Sequence, residues 1–247
     1  MTNLILVERD GPIQIVRINR PEKKNALTLA MYSAMADALV AGEADDGVAV
    51  HLLAGAGGDF SAGNDLNDFL TLTSLVDSPI ARFLLALAGL AKPAVAAVKG
   101  AAVGIGSTMI LHCDLAVAAV NSRFQFPFVN LGLVPEAASS QLLPGLAGHR
   151  RAAELLMLGE PFTAEKAEAI GLVNILVPPG EEEAVALDYA RRLAARPRQA
   201  LRQTKALLKR EPEPVVERIK VEARLFEEAL RSPELKQAVA AFYERKK

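Results

Sequence analysis

One carboxylate stands among small and apolar residues in Leu131-Gly132-Leu133-Val134-Pro135-Glu136-Ala137-Ala138-Ser139-Ser140. Apolar surroundings disfavour the ionised form and raise the pKa of a Glu toward neutrality, where a carboxyl can both take and return a proton. Two other stretches offer a different chemistry. Phe60-Ser61-Ala62-Gly63-Asn64-Asp65-Leu66 follows the apolar run Val48 to Ala54, and Lys99-Gly100-Ala101-Ala102-Val103-Gly104-Ile105-Gly106 follows Ala94 to Val98. Gly-containing turns after strand ends expose backbone N–H groups, and the second turn opens a helix, whose N-terminus favours negative charge. Two such donors facing one point would form an oxyanion hole. Close packing would equally explain the glycines, and solvation would explain a loop Glu. Spacing alone leaves both readings open.

Other motifs fall short of their chemistry. Gly104-Ile105-Gly106 follows a strand as a dinucleotide loop would, but Met109 stands where the third glycine belongs. Gly55-Ala56-Gly57-Gly58 lacks the Lys-Ser/Thr of a phosphate loop, and there is no Gly-x-Ser-x-Gly elbow. His51, His112 and His149 have no ligand spacing, and His112 and His149 suit helix ends or core hydrogen bonds. Asp65 and Asp68 read as capping or surface residues, and no metal site is expected. Cys113 reads as a small core residue.

The elements that position these turns alternate along the chain. Ile13, Ile15 and Ile18 belong to a strand preceded by the hairpin signal Asp10-Gly11. Thr28 is placed to N-cap a helix carrying Leu29, Met31, Met35, Ala38 and Leu39. Val48 to Ala54, Ala94 to Val98 and Asp114 to Val120 read as buried strands, Ile80 to Leu90 as a helix, Gly100 to Gly106 as a small-residue turn, and Ser107 to His112 as the start of another helix. Strands apolar throughout predict an α/β core with sheets covered by helices. From about Glu181 strand signals stop and charged amphipathic helices follow, broken by Pro197, Pro212, Pro214 and Pro233. This tail must pack on the core or on a neighbouring subunit to bury its apolar stripes.

Bulk properties exclude several classes. The 247 residues are 51% hydrophobic and 23% charged, as in an ordinary globular protein. A net charge of −1, no Trp and three Tyr give no footprint for a nucleic-acid partner. The single cysteine rules out an intramolecular disulfide and a Cys-based zinc cluster, and points to a reduced, cytoplasmic setting. Met1-Thr2-Asn3-Leu4 shows no signal-peptide pattern. The most apolar region, Leu84 to Val120, is broken by Lys92, Pro93, Lys99, Gly100, His112 and Asp114, so no membrane span is expected.

Taken together and in order, several pieces resemble the crotonase superfamily of enoyl-CoA hydratases and isomerases over nearly the whole chain. They are Asn19-Arg20-Pro21-Glu22-Lys23-Lys24-Asn25-Ala26-Leu27, the runs 60–66 and 94–106, Cys113-Asp114-Leu115, Pro161-Phe162-Thr163-Ala164-Glu165-Lys166-Ala167 and Gly171-Leu172-Val173. The resemblance implies a spiral of ββα units with two roughly perpendicular sheets. It implies a core over 1–190 for CoA binding and catalysis, and a C-terminal helical segment over 191–247 for assembly into a homotrimer or a hexamer. It implies an acyl-CoA thioester substrate and no separate cofactor, coenzyme A being part of the substrate. The oxyanion donors it implies are the backbone N–H groups of Asn64 and Ile105. CoA contacts would come from Ala62, Gly63, Asn64, Asp65, Leu66 and Gly104, with Lys23 or Lys24 reaching a phosphate. Phe69, Leu70, Phe83 and Leu84 are candidates for the acyl pocket as well as for the core.

Hydratases of this superfamily use two glutamates. Their places here hold Thr108 and Phe128, neither of which activates water or delivers a proton. Glu136 instead matches the single glutamate of the Pro-Glu-x-x-Ser-Ser loop of 3,2-trans-enoyl-CoA isomerases, especially of the peroxisomal type. The resemblance therefore implies movement of a 3-enoyl double bond to the 2-trans position, with Glu136 as the one acid/base. Hydration, acyl-CoA hydrolysis, and a non-catalytic relative that binds RNA or protein stand as alternatives.

Overall fold

A computed structural model describes residues 4–72, 74–235 and 237. The chain opens with the hairpin β1 (Ile5–Asp10) and β2 (Ile13–Ile18), joined through Gly11, whose φ is +56°. Helix α1 (Leu29–Ala44) follows, and the Thr28 side chain accepts from Met31 N at 3.3 Å as its N-cap. Strand β3 (Val50–Gly55), a single-turn helix α2 (Leu66–Phe69), helix α3 (Pro79–Ala88) and strand β4 (Ala94–Val98) complete the first half.

Next come β5 (Ala101–Val103), α4 (Ile105–Thr108), β6 (Leu115–Ala119) and β7 (Arg123–Gln125). Helices α5 (Ser139–Ala147) and α6 (His149–Leu158), strand β8 (Phe162–Thr163), helix α7 (Ala164–Ala169) and strand β9 (Ile175–Val177) follow. The tail carries α8 (Glu182–Ala194), α9 (Arg198–Leu208) and α10 (Val215–Leu230).

Among the described residues the strands form a six-stranded sheet, ordered β1-β2-β3-β4-β6-β9, and a three-stranded sheet, β5-β7-β8. The hairpin is antiparallel and the rest of the larger sheet is parallel. Its central strands are buried on both faces, which is why they read as apolar without alternation. One face, with Ile13, Val50, Leu52, Val95 and Val117, lies under α8 through Ala186 and Ala190. Two alanines four apart let that helix approach closely, because they share one face and add little bulk. The other face, with Val16, Leu53, Ala96 and Ala118, joins Met35 and Leu39 of α1 and Phe83 and Leu87 of α3. Each fully buried Leu or Phe contributes roughly 1.5–3 kcal/mol.

Two expectations shift. The stretch Gly100 to Gly106 is not a plain turn, because Ala101–Val103 pairs with β7 as the edge of the small sheet. The helix expected at Ser107 begins at Ile105, lasts four residues and continues as a 3-10 turn over Met109–His112. So short a helix adds little dipole, and what matters at its start is the direction of individual N–H groups.

The tail divides in its packing. Helix α8 joins the core, and α9 is anchored by Lys205, whose Nζ donates to Lys92 O at 2.8 Å and to Asp114 Oδ2 at 2.7 Å. Lys92 in turn caps α1 through Gly42 O and Asp45 O, both at 2.7 Å. Helix α10 buries no residue and exposes Val215, Val216, Ile219, Phe226 and Leu230. The last part of the expected assembly segment, residue 236 and residues 238–247, lies outside the described residues.

Candidate active site

Segment 61–65 is the pivot of the site, and it is bonded on both sides. Toward β5, Ser61 N donates to Ala101 O and Val103 N donates to Ser61 O, each at 2.9 Å. Toward the turn before α1, Leu27 N donates to Gly63 O, Asp65 N to Leu27 O and Ala62 N to Lys24 O, each at 2.8 Å. The segment thus behaves as a short parallel strand between Leu27 and Ala102. Only small residues permit this approach. A Cβ on Gly63, whose φ is +98°, would lie 2.9 Å from Val103 O, and one on Gly106 would lie 2.4 Å from Ser61 O.

Two N–H groups are left over. Asn64 N takes no part in the ladder, whose bonds use its neighbours, and Ile105 N is the first of α4, with no preceding turn to accept it. Among the described residues neither meets an acceptor. They sit on adjoining segments, one on each side of the Gly63–Val103 contact. Gly104, with φ +55°, makes the bend that frees Ile105 N, while its own N–H bonds Gln125 O and its carbonyl accepts from Ser107 N and Thr108 N.

The Asn64 side chain is fixed separately. Its Oδ1 accepts from the hydroxyl of Tyr32, a fully buried residue of α1 that packs its ring on Phe83 with centroids 5.6 Å apart. Burial, and then the charge of Glu136, push the Tyr32 phenol well above its ordinary range, so it stays a donor.

Glu136 reaches the same place from the loop before α5. Its Oε1 is buried and has no hydrogen-bond partner. Burial pushes its carboxyl up to about 7, and the nearby Thr108 hydroxyl opposes that rise. Thr108 Oγ1 is itself buried, and the two groups do not complete a hydrogen bond of ordinary geometry in this structure. The loop that presents Glu136 is strained. Ala137 and Ala138 both adopt the left-handed region, with φ of 53° and 54°. His112 bonds Ala137 O at 2.8 Å, and Ser139 bonds Glu136 O through N at 2.9 Å and Oγ at 2.7 Å, so the strain is pinned from two sides.

A raised carboxyl has a consequence for stability. The folded protein holds the proton up to about pH 7, whereas an unfolded chain releases it near its ordinary value of 4.5. Stability from this group is full at low pH and is lost as pH rises toward and past 7, by about 3 kcal/mol in all. Glu136→Gln removes that loss. Its melting temperature should exceed wild type at pH 8.5, and the gap should close toward pH 5, as measured by thermal denaturation across that range.

The residues singled out in the sequence are placed as follows. The Glu136 charge acts on Tyr32, which holds the Asn64 side chain, and Glu136 lies near Thr108 on the helix that Ile105 opens. Ala62, Gly63 and Gly104 line the approach of the two segments, and Leu66 is exposed at the start of α2. The Asp65 carboxylate is occupied, pairing with Arg20 at 2.8 Å and capping α2 through Asn67 N and Asp68 N. Asp68 accepts from Leu29 N. Lys23 and Lys24 are exposed, and Lys24 meets the site through its carbonyl. Phe83 is core, Phe69 and Leu84 pack partly on it, and Leu70 is exposed. His51 is buried between Gln14 and Glu43. His112 sits at the end of the 3-10 turn over Met109–His112 and bonds Ala137 O, as the helix-end or core hydrogen-bond reading expects. Sequence reasoning missed the roles of Tyr32 and Asn25. Asn25 ties the turn together through Ala56 O and Asp59 O with a left-handed φ of 59°, a conformation that Asn tolerates better than most residues. Tyr32 left a signal, as a polar tip within the apolar stripe of α1.

Comparison with known proteins gives the family. The chain matches the enoyl-CoA hydratase/isomerase family over residues 8–247 and belongs to that family. A structure from Magnetospirillum magneticum AMB-1 assigned to enoyl-CoA hydratase/carnithine racemase is 55% identical, with a TM-score of 0.97, covering 99% of this chain and 97% of that one. The "Probable enoyl-CoA hydratase" of Rhizobium meliloti is 32% identical over 98% of this chain and 96% of its own length. Enoyl-CoA delta isomerase 2 of Rattus norvegicus is 35% identical over 83% of this chain and 54% of its own. The protein is thus an acyl-CoA-processing enzyme of crotonase fold. Among the described residues, no helix is long and apolar enough to cross a membrane.

Proposed function

We propose that the protein is an enoyl-CoA isomerase that moves a 3-enoyl double bond to the 2-trans position. The observation that carries this is the lone Glu136 carboxyl at about 7, with Thr108 and Phe128 where a hydratase would need its two acids. Hydration needs one group to activate water and one to protonate the adjacent carbon, whereas double-bond migration needs one shuttling base.

The thioester oxygen accepts from Asn64 N–H and Ile105 N–H. Glu136 removes a C2 proton, and the electron pair of the broken C–H bond delocalises over the thioester and the C3–C4 double bond as a dienolate. The same proton returns from Glu136 to C4, a C4–H bond forms, and the double bond settles between C2 and C3. Nothing is oxidised or reduced. Each hole donor supplies about 3–4 kcal/mol of barrier lowering. CoA lies along 62–66 and Gly104, with Lys24 near a phosphate. The exposed apolar face of α10 supports the expected assembly into a trimer or hexamer, and a monomeric mass in sedimentation would count against that part.

The test offers 3-enoyl-CoA and 2-enoyl-CoA separately to the purified enzyme. Fast isomerisation of the first and slow hydration of the second are expected. Rapid water addition to the second, with no migration in the first, would replace the isomerase reading with the hydratase one.

A further inference from the structure

We propose that Thr108 is a positioning residue whose hydroxyl donates to Glu136 Oε1 during proton abstraction, leaving Oε2 as the oxygen that takes and returns the proton. This rests on Glu136 being the base. Thr108 is fully buried, and its Oγ1 and Glu136 Oε1 are the buried side-chain polar atoms among the described residues that have no hydrogen-bond partner. Leaving either atom unbonded in a closed site is costly.

Among the described residues no other group bonds either atom. The Thr108 N–H is held by Gly104 O, and the Asn64 amide oxygen by Tyr32. The C2 to C4 stretch of a 3-enoyl chain is hydrocarbon and brings no polar atom. Once substrate fills the site, the partner left to each group is the other.

The geometry suits that pairing. Thr108 stands three residues after Ile105 on α4, so its side chain shares a face with the start of the helix. Its backbone is fixed by the same Gly104 carbonyl that shapes the bend beside the Ile105 amide. The hydroxyl therefore ties the position of the base to that of the hole. Donation to the ionised carboxylate also favours that form over the neutral acid, which offsets part of the rise caused by burial.

The experiment follows the Glu136 carboxyl by infrared titration with a saturated acyl-CoA filling the site, the wild type minus Glu136→Gln difference identifying its band. Thr108→Val keeps the shape and removes the donor, Thr108→Ser restores it, and Thr108→Ala serves if the valine variant is unstable. The titration midpoint should rise by about one pH unit in the Val or Ala variant and return in Ser. Turnover of 3-enoyl-CoA should fall about fivefold at pH 7 and recover by about pH 9, following the ionised fraction. A midpoint equal to wild type in Thr108→Val or Thr108→Ala would overturn the proposal whatever the rate does. Wild-type isomerisation by Glu136→Gln would instead sink the isomerase reading, and the two failures are read from different signals.

Discussion

Glu136→Gln should lower kcat for 3-enoyl-CoA about a thousandfold while changing KM little. Positioned acid–base groups contribute roughly 10²–10⁴-fold, and here a single group performs both proton transfers. The amide is close in size, and the carboxyl it replaces is mostly neutral below pH 7 because burial holds its pKa at about 7. Gln should therefore fit without distorting the loop, and the strained Ala137–Ala138 pair, pinned by His112 and Ser139, should keep its course. Retained substrate affinity with lost turnover separates removal of the base from collapse of the site. Steady-state kinetics with a parallel CoA-thioester binding titration reads both. A variant retaining more than a tenth of wild-type kcat would remove Glu136 from the chemistry.

Gly106→Ala should cost about a hundredfold in kcat through geometry alone, since misplacement by about 1 Å suffices for such a loss. The added Cβ would fall 2.4 Å from Ser61 O and 3.1 Å from Ser61 Cβ, and Ser61 is held by backbone bonds to both Ala101 and Val103. Relief requires segment 61–65 to move away from β5 and α4, which separates the Asn64 amide from the Ile105 amide. No catalytic side chain changes, so a loss of rate here reports on the backbone. Melting should drop by a few degrees at the same time, because the parallel ladder at Ser61 loosens. Wild-type kcat in this variant would mean that the two segments need not touch for catalysis.

How much of this was legible in the sequence follows from what each signal depends on. Local signals read well. Asp10-Gly11 set the hairpin and Thr28 capped α1, because turn chemistry and capping act within a few residues. The apolar runs at β3, β4 and β6 marked buried strands of a helix-covered sheet, and the structure adds that they pair in parallel.

Long-range pairing did not read. Ala101–Val103 is too short and too poor in β-branched residues to announce a strand, and it exists because β7 and Ser61 both pair with it. The freed amides at Asn64 and Ile105 were reached through resemblance, since no periodicity marks an N–H that lacks a partner. The apolar setting of Glu136 was visible in its own loop. The walls that bury it, with Thr108 on α4 and Tyr32 on α1, lie 28 and 104 positions away along the chain. Composition near Asp65 suggested a capping role, and its Arg20 partner was visible only in the folded chain.

The claim on which the rest depends is that Asn64 N–H and Ile105 N–H together hold the thioester oxygen. It is read most directly from the infrared carbonyl stretch of 3-enoyl-CoA labelled with ¹³C at C1, recorded promptly after mixing with Glu136→Gln, in which turnover is slowed. The account predicts that the band moves to lower frequency on binding, and that Gly106→Ala in the same background largely abolishes the movement. A bound carbonyl whose band stays at its position in water, or one equally shifted with Gly106→Ala present, would contradict it.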